Sequence, residues 1–184
     1  VLIFKNACDC FCPKYRAEDF LRWEGDWELW DGVAVSMSPS PAFRHQKLLT
    51  RLLHLFQTQL TQDDVYEEKC SAVAESDWHV SGFSVVRPDG MIVSREPEGQ
   101  WVEDAPELII EALSPSTRNK DQTVKRDLDA AEGLGYYVID DPENGTVTVL
   151  KHTDDGAYRE IFKEEAIELH EGCVLKVDEA VLFA

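Results

Sequence analysis

Two short apolar runs, each carrying an acid, constrain this chain more than any other feature. The first is Phe83-Ser84-Val85-Val86-Arg87-Pro88-Asp89-Gly90-Met91-Ile92-Val93, and the second is Leu108-Ile109-Ile110-Glu111-Ala112-Leu113. Runs this short, rich in Val and Ile and bounded by turn residues, predict buried strands rather than helices. An unpaired carboxylate buried beside such a strand is costly, and a cation removes that cost. Two carboxylates on adjacent buried strands suit one hard divalent ion, because Mg²⁺ takes oxygen ligands in a small rigid shell. Taken singly, Asp89 and Glu111 each read as ordinary solvated strand ends. Taken together, they read as a site.

The rest of the chain predicts a helix-flanked mixed sheet of the α+β class. Residues 1–16 read as an irregular extension and 17–184 as one domain. A short helix is expected from Ala17 to about Glu24. Asp31-Gly32 signals a hairpin between Trp27-Glu28-Leu29-Trp30 and Val33-Ala34-Val35-Ser36-Met37. Ser38-Pro39-Ser40-Pro41 breaks the chain before its best helix, where Leu49, Leu52, Leu53, Phe56 and Leu60 form one apolar stripe. Strands are expected around Val65–Ala74, Trp78–Val80, Ser84–Val93 and Glu107–Leu113. A second long helix is expected over Asp121–Glu132, stopped by Gly133 or Gly135. Tyr136–Asp140 then reads as a buried strand. Glu143-Asn144-Gly145-Thr146 turns into Val147–Leu150, and short antiparallel strands follow over Tyr158–Phe162 and Ala166–Leu169.

Charge excludes a nonspecific nucleic-acid coat, since the chain carries −18 net and phosphate affinity needs clustered cations. The imbalance is uneven. Residues 127–184 hold 15 acids and 4 bases, or −11, which leaves −7 for the longer first part. Cations gather at Arg44, Lys47 and Arg51, and again at Arg118, Lys120, Lys125 and Arg126, which is compatible with a basic rim on an acidic body. No apolar run approaches the roughly 18 residues of a membrane span, and the expected location is cytoplasmic. Cys8, Cys10 and Cys12 lack the spacing of a zinc half-site and read as reduced thiols. Cys70 and Cys173 read as small apolar fillers, and Trp78 and Trp101 as core.

From about Ala17 to Ala184 the chain resembles the Uma-type family of "putative restriction endonucleases". The resemblance rests on Trp27-Glu28-Leu29-Trp30-Asp31-Gly32, on Ser38-Pro39-Ser40-Pro41 with His45-Gln46, on Arg87-Pro88-Asp89, and above all on Pro106-Glu107-Leu108-Ile109-Ile110-Glu111-Ala112-Leu113-Ser114-Pro115-Ser116-Thr117. It implies a PD-(D/E)XK nuclease-like core in which Asp89 and Glu111 bind Mg²⁺ or Mn²⁺ and the Ala112 carbonyl completes the protein's share of the shell. It further implies a metal-dependent endonuclease hydrolysing DNA phosphodiester bonds. Leu113 stands where such sites carry a lysine. In the family that lysine has moved to the following helix, which Lys125 matches, with Lys120 a weaker substitute. Asp129, four residues after Lys125, offers the lysine a surface ion pair instead. Family members carry Tyr where this chain has Asp129, and Glu-Tyr-Trp where it has Gly135-Tyr136-Tyr137.

Two further residues have double readings. His45 lies one turn before the Leu49 stripe, either as a core-edge histidine with one hydrogen bond or as a group facing the cleft. Glu28 is either an extra metal-site acid or a half-buried strand residue paired with a cation. The competing functions are a catalytically weak binding or regulatory module on the same fold, and a protein–protein partner using its acidic second half. A homodimer would suit cleavage of two strands.

Overall fold

A computed structural model describes residues 14–37, 42–62, 70–113, 134–161, 166–169 and 172–183. A short helix α1 (Ala17–Phe20) leads into a hairpin of β1 (Trp27–Trp30) and β2 (Val33–Ser36). Its turn places both Asp31 and Gly32 at positive φ, 45° and 81°, the geometry that matches the twist of paired strands and that Asp-Gly tolerates. The long helix α2 (Phe43–Thr61) follows, then β3 (Ser71–Ala74), β4 (Trp78–Ser81), β5 (Ser84–Val86), β6 (Gly90–Val93) and β7 (Leu108–Ala112). The chain continues through β8 (Tyr136–Asp141), β9 (Thr146–His152), β10 (Tyr158–Ile161), β11 (Ile167–Glu168), β12 (Val174–Leu175) and a closing turn of helix, α3 (Glu179–Leu182).

The strands form a six-stranded sheet in the order β10-β9-β8-β7-β6-β3, a four-stranded sheet in the order β2-β1-β5-β4, and the small β11-β12 pair. Within the six-stranded sheet, β7 and β8 run parallel and their neighbours antiparallel. Alternation along β7 sends its side chains to two different cores. Leu108 and Ile110 join Ile92, Tyr136 and Val138 beneath α2, whose Leu49, Leu52, Phe56 and Leu60 face the sheet, with Leu175 and Leu182 closing the end. Ile109 points the other way, to Met91, Val93 and Tyr137, where Trp78, Val86 and Val102 cover the sheet. Leu52, Phe56 and Leu60 have no exposed surface, and each such burial contributes about 1.5–3 kcal/mol. Gly90 sets how closely α2 approaches, because a Cβ there would lie 3.0 Å from Leu53 Cδ2 and 3.3 Å from Ile110 Cδ1.

The expected strand over Ser84–Val93 is in fact two strands in two sheets. Pro88 cannot donate to a ladder, and the chain leaves β5 in the four-stranded sheet and re-enters as β6 in the six-stranded one. The first helix is also shorter than expected, since turns replace it after Phe20. Cys70 and Cys173 are buried fillers with their sulfurs 3.2 Å apart. Trp78 is core, whereas Trp101 is half-buried and stacks on His79. The Ser38–Pro41 break, the helix of Asp121–Glu132, Gly133, and Cys8, Cys10 and Cys12 lie outside the described residues.

Candidate functional site

Asp89 occupies the bend between the two sheets, directly after Pro88 and before β6. Its backbone carbonyl accepts from Glu75 N–H at 3.1 Å, a residue held at φ 46°. Its side chain is fixed from two sides. Oδ2 accepts from the Ala112 backbone N–H at 2.8 Å and lies 3.3 Å from His45 Nε2. The side chain keeps 24% of its surface exposed, so the carboxylate remains accessible.

His45 reaches Asp89 because the first turn of α2 lies over the end of the sheet. It is buried, and its Nδ1 has no hydrogen-bond partner among the described residues. The hydrogen bond to Asp89 raises the imidazole above its ordinary value. Burial opposes that effect, while the Asp89 charge, the Ala112 backbone and the Asp140 charge add to it. His45 thus sits at the core edge with its Nε2 against Asp89.

Glu111 lies at the end of β7 and is 4% exposed. Register ties it to Asp89. Gly90 pairs with Ile110, so the acids immediately before Gly90 and immediately after Ile110 flank one paired couple at the same end of the sheet. Alternation sends Glu111 to the face of Ile109, opposite the α2 side. Leu113 is buried, and its N–H donates to the Asp140 carbonyl at 2.7 Å. Lys125, Lys120 and Asp129 lie outside the described residues.

The residue that sequence reasoning missed is Asp140. It lies beside Ala112 in the parallel β7–β8 register, is wholly buried, and neither carboxylate oxygen has a hydrogen-bond partner among the described residues. Burial is the main cause that pushes its carboxyl up to about 7; the charges of Asp141 and Asp89 add to this and the His45 charge opposes it. A signal was present, since Asp140 follows the apolar Tyr136–Ile139 just as Glu111 follows Leu108–Ile110. Asp141, by contrast, is a turn residue. It accepts from Glu143 N–H and Asn144 N–H, each at 3.1 Å, and from Asn144 Nδ2 at 2.8 Å.

Glu28 serves the strand crossing. Its Oε1 accepts from the Arg87 backbone N–H at 2.8 Å, and the side chain is buried rather than half-buried. The Arg87 side chain binds Asp77 Oδ1 through Nε at 2.7 Å and Asp26 Oδ1 through Nη1 at 3.3 Å.

Among the described residues, no group of three or more His, Cys, Asp or Glu side chains is arranged to hold a metal ion. The predicted set of two carboxylates and one backbone carbonyl asks for less than that, and its hard oxygens suit Mg²⁺ or Mn²⁺. Asp140 lies beside Ala112 at the same end, and burial pushes its carboxyl up to about 7, so it is only partly ionised at neutral pH. The donor chemistry fits a divalent cation.

Comparison with known proteins agrees with this architecture. No curated protein matches the chain. A crystal structure described as "a putative nuclease belonging to DUF820" from Anabaena variabilis superposes with a TM-score of 0.69, at 18% identity, covering 90% of this chain and 96% of that one. That likeness supports the restriction-endonuclease-like α+β fold. Among the described residues, no helix is long and apolar enough to cross a membrane. The model of the Uma2 family, described as "Putative restriction endonuclease", matches residues 17–177, and the chain belongs to that family.

Proposed function

We propose that the protein is a Mg²⁺- or Mn²⁺-dependent endonuclease that hydrolyses DNA phosphodiester bonds, with Asp89 and Glu111 as metal ligands. The observation that carries this reading is the pair of acids flanking Gly90↔Ile110 at one end of the sheet. A bound divalent cation lowers the pKa of water and offsets charge developing on the phosphoryl oxygens. The chain's own residues do the positioning. The Ala112 N–H and the His45 ring hold Asp89 Oδ2 in place, so the carboxylate needs little reorganisation when it binds a cation. Parallel pairing with β8 holds the backbone of Glu111 and Ala112 beside Ile139 and Asp140. Lys125 is assigned the role of orienting the attacking water. A homodimer would present one such site to each strand of a duplex.

A second reading has its own observation. Leu113 is buried and apolar where sites of this kind carry a lysine, which favours a binding or regulatory module with weak catalysis. Purified protein separates the two. For the nuclease, Asp89→Ala and Glu111→Ala each lower metal-dependent cleavage of a labelled duplex by at least about 100-fold. Calorimetric Mn²⁺ binding is lost on Glu111→Gln. Cleavage unchanged by both alanine substitutions rejects the site assignment. No divalent binding at millimolar concentration, with no cleavage, selects the module.

A further inference from the structure

The outer face of α2 differs from the rest of this acidic chain. The chain has 36 Asp and Glu among 184 residues, yet the 19 residues of α2 include none. Buried side chains, His45, Leu48, Leu49, Leu52, Phe56 and Leu60, occupy one side of the helix. On the opposite side Phe43, Arg44, Lys47, Thr50 and His54 are exposed. At 3.6 residues per turn these five positions fall within a sector of roughly 120°. Arg51 lies in that sector too, but its Nη1 donates to the Leu182 carbonyl at 2.7 Å and anchors α3.

Two properties of this sector point outward. Phe43 is 82% exposed, the highest value among the large apolar side chains of the described residues. A single exposed apolar side chain is ordinary; this one opens the helix beside two unengaged cations, Arg44 next to it and Lys47 one turn on. Elsewhere among the described residues Lys14, Arg87 and Arg159 are paired with acids, whereas Arg22, Arg95 and Lys176 stand singly and are not beside an exposed ring on one helix face. Among the described residues, neither Arg44 nor Lys47 has an ion-pair or hydrogen-bond partner for its side chain. The helix N-terminus adds its own positive potential at the same end.

An aromatic ring flanked by free cations matches a polyanion with flat faces: the ring stacks on a base, and the cations meet phosphates. We propose that the outer face of α2 is a nucleic-acid docking surface, with Phe43 stacking on a base and Arg44 and Lys47 contacting flanking phosphates. The proposal rests on the nuclease reading and adds the element that holds the substrate. His45 shares the first turn of α2 and touches Asp89, so the docking face and the candidate site are about one helix diameter apart, ~10 Å.

The test is fluorescence anisotropy with a short fluorescein-labelled DNA of mixed sequence, single-stranded and duplex, in EDTA. Removing divalent ions separates docking from cleavage. Arg44→Ala combined with Lys47→Ala is expected to raise Kd about 10-fold or more and to flatten the log Kd against log salt slope by about 2. Phe43→Ala is expected to weaken single-strand binding about 10-fold. Arg159→Ala, on β10, is the reference and leaves Kd unchanged. Circular dichroism melts confirm that each variant is folded. A Kd unchanged in the α2 variants, or no DNA binding by the wild type, overturns the docking face. Equal losses toward polyglutamate, with Phe43→Ala silent, reassign the face to an acidic protein and also overturn it. Asp89→Ala and Glu111→Ala retain anisotropy binding if the face is right. Loss of docking effects with cleavage intact thus rejects only this proposal, and docking without cleavage rejects only the nuclease.

Discussion

Pro88 separates two charged clusters that the same short loop feeds in opposite ways. On the Arg87 side, positive and negative groups satisfy one another: the guanidinium binds Asp77 and Asp26, and the backbone N–H binds Glu28. On the Asp89 side one acid is held and another is left without a donor among the described residues. Asp89 takes one backbone N–H and one imidazole, and Asp140 is buried with both oxygens unpartnered among the described residues. Satisfied charge of the first kind is how a fold joins two sheets. Under-satisfied buried acid lowers stability and persists where chemistry needs it. The contrast is the physical ground on which the Asp89 end is proposed as the functional one.

The contrast is open to attack at three points. The largest effect is expected at Asp140. Its folded-state value of about 7 lies above the ordinary 3.8, so the folded protein holds a proton that the unfolded chain releases. Stability therefore falls as pH rises from about 4 to about 7 and levels off above that. The full difference is on the order of 4 kcal/mol. Asp140→Asn should remove this slope and make the variant more stable than wild type at pH 8, measured by urea unfolding at pH 5 and pH 8. Equal slopes for both proteins would mean that Asp140 is well satisfied and the comparison fails.

A smaller effect is expected across the loop. Arg87→Met leaves Asp77 without its cation and should cost about 2 kcal/mol at pH 7, in the range of charged hydrogen bonds. Denaturant midpoints would show it, and a loss below a few tenths of a kcal/mol would remove Arg87 as an anchor of the segments that lead into β1 and β4. The smallest effect is expected at His45. Its folded value is raised, so the stability it contributes is complete below the ordinary histidine value near 6.5 and is lost as pH climbs through the folded value. His45→Gln should cost about 1 kcal/mol at pH 5.5 and less at pH 8.5. NMR titration of the ring gives the same sign directly, and a midpoint below 6.5 would contradict the Asp89 contact.

Much of this architecture was legible in the sequence because it depends on local rules. Asp31-Gly32 forms its hairpin because those two residues tolerate positive φ. The Leu49–Leu60 stripe becomes the buried face of α2 because a 3.6-residue period leaves no other solution. Glu111 is buried at the end of β7 because three apolar residues drag the strand into the core. The split of Ser84–Val93 at Pro88 was less legible. Periodicity marks a strand and does not say which sheet it joins.

By itself, the sequence determined the class of fold, the hairpin, the long helix and the acids at Asp89 and Glu111, together with the family signature that contains them. Tertiary structure alone decided which groups meet across the chain. It set His45 against Asp89, lined Asp140 up with Ala112 across a parallel pairing, and turned Glu28 toward the Arg87 backbone. The physical reason is that hydropathy and propensity act over a few residues, whereas strand register and helix packing join positions tens of residues apart. Asp140 shows the consequence most plainly. A carboxylate at the end of an apolar run becomes a buried acid without donors only through the neighbours that fold around it.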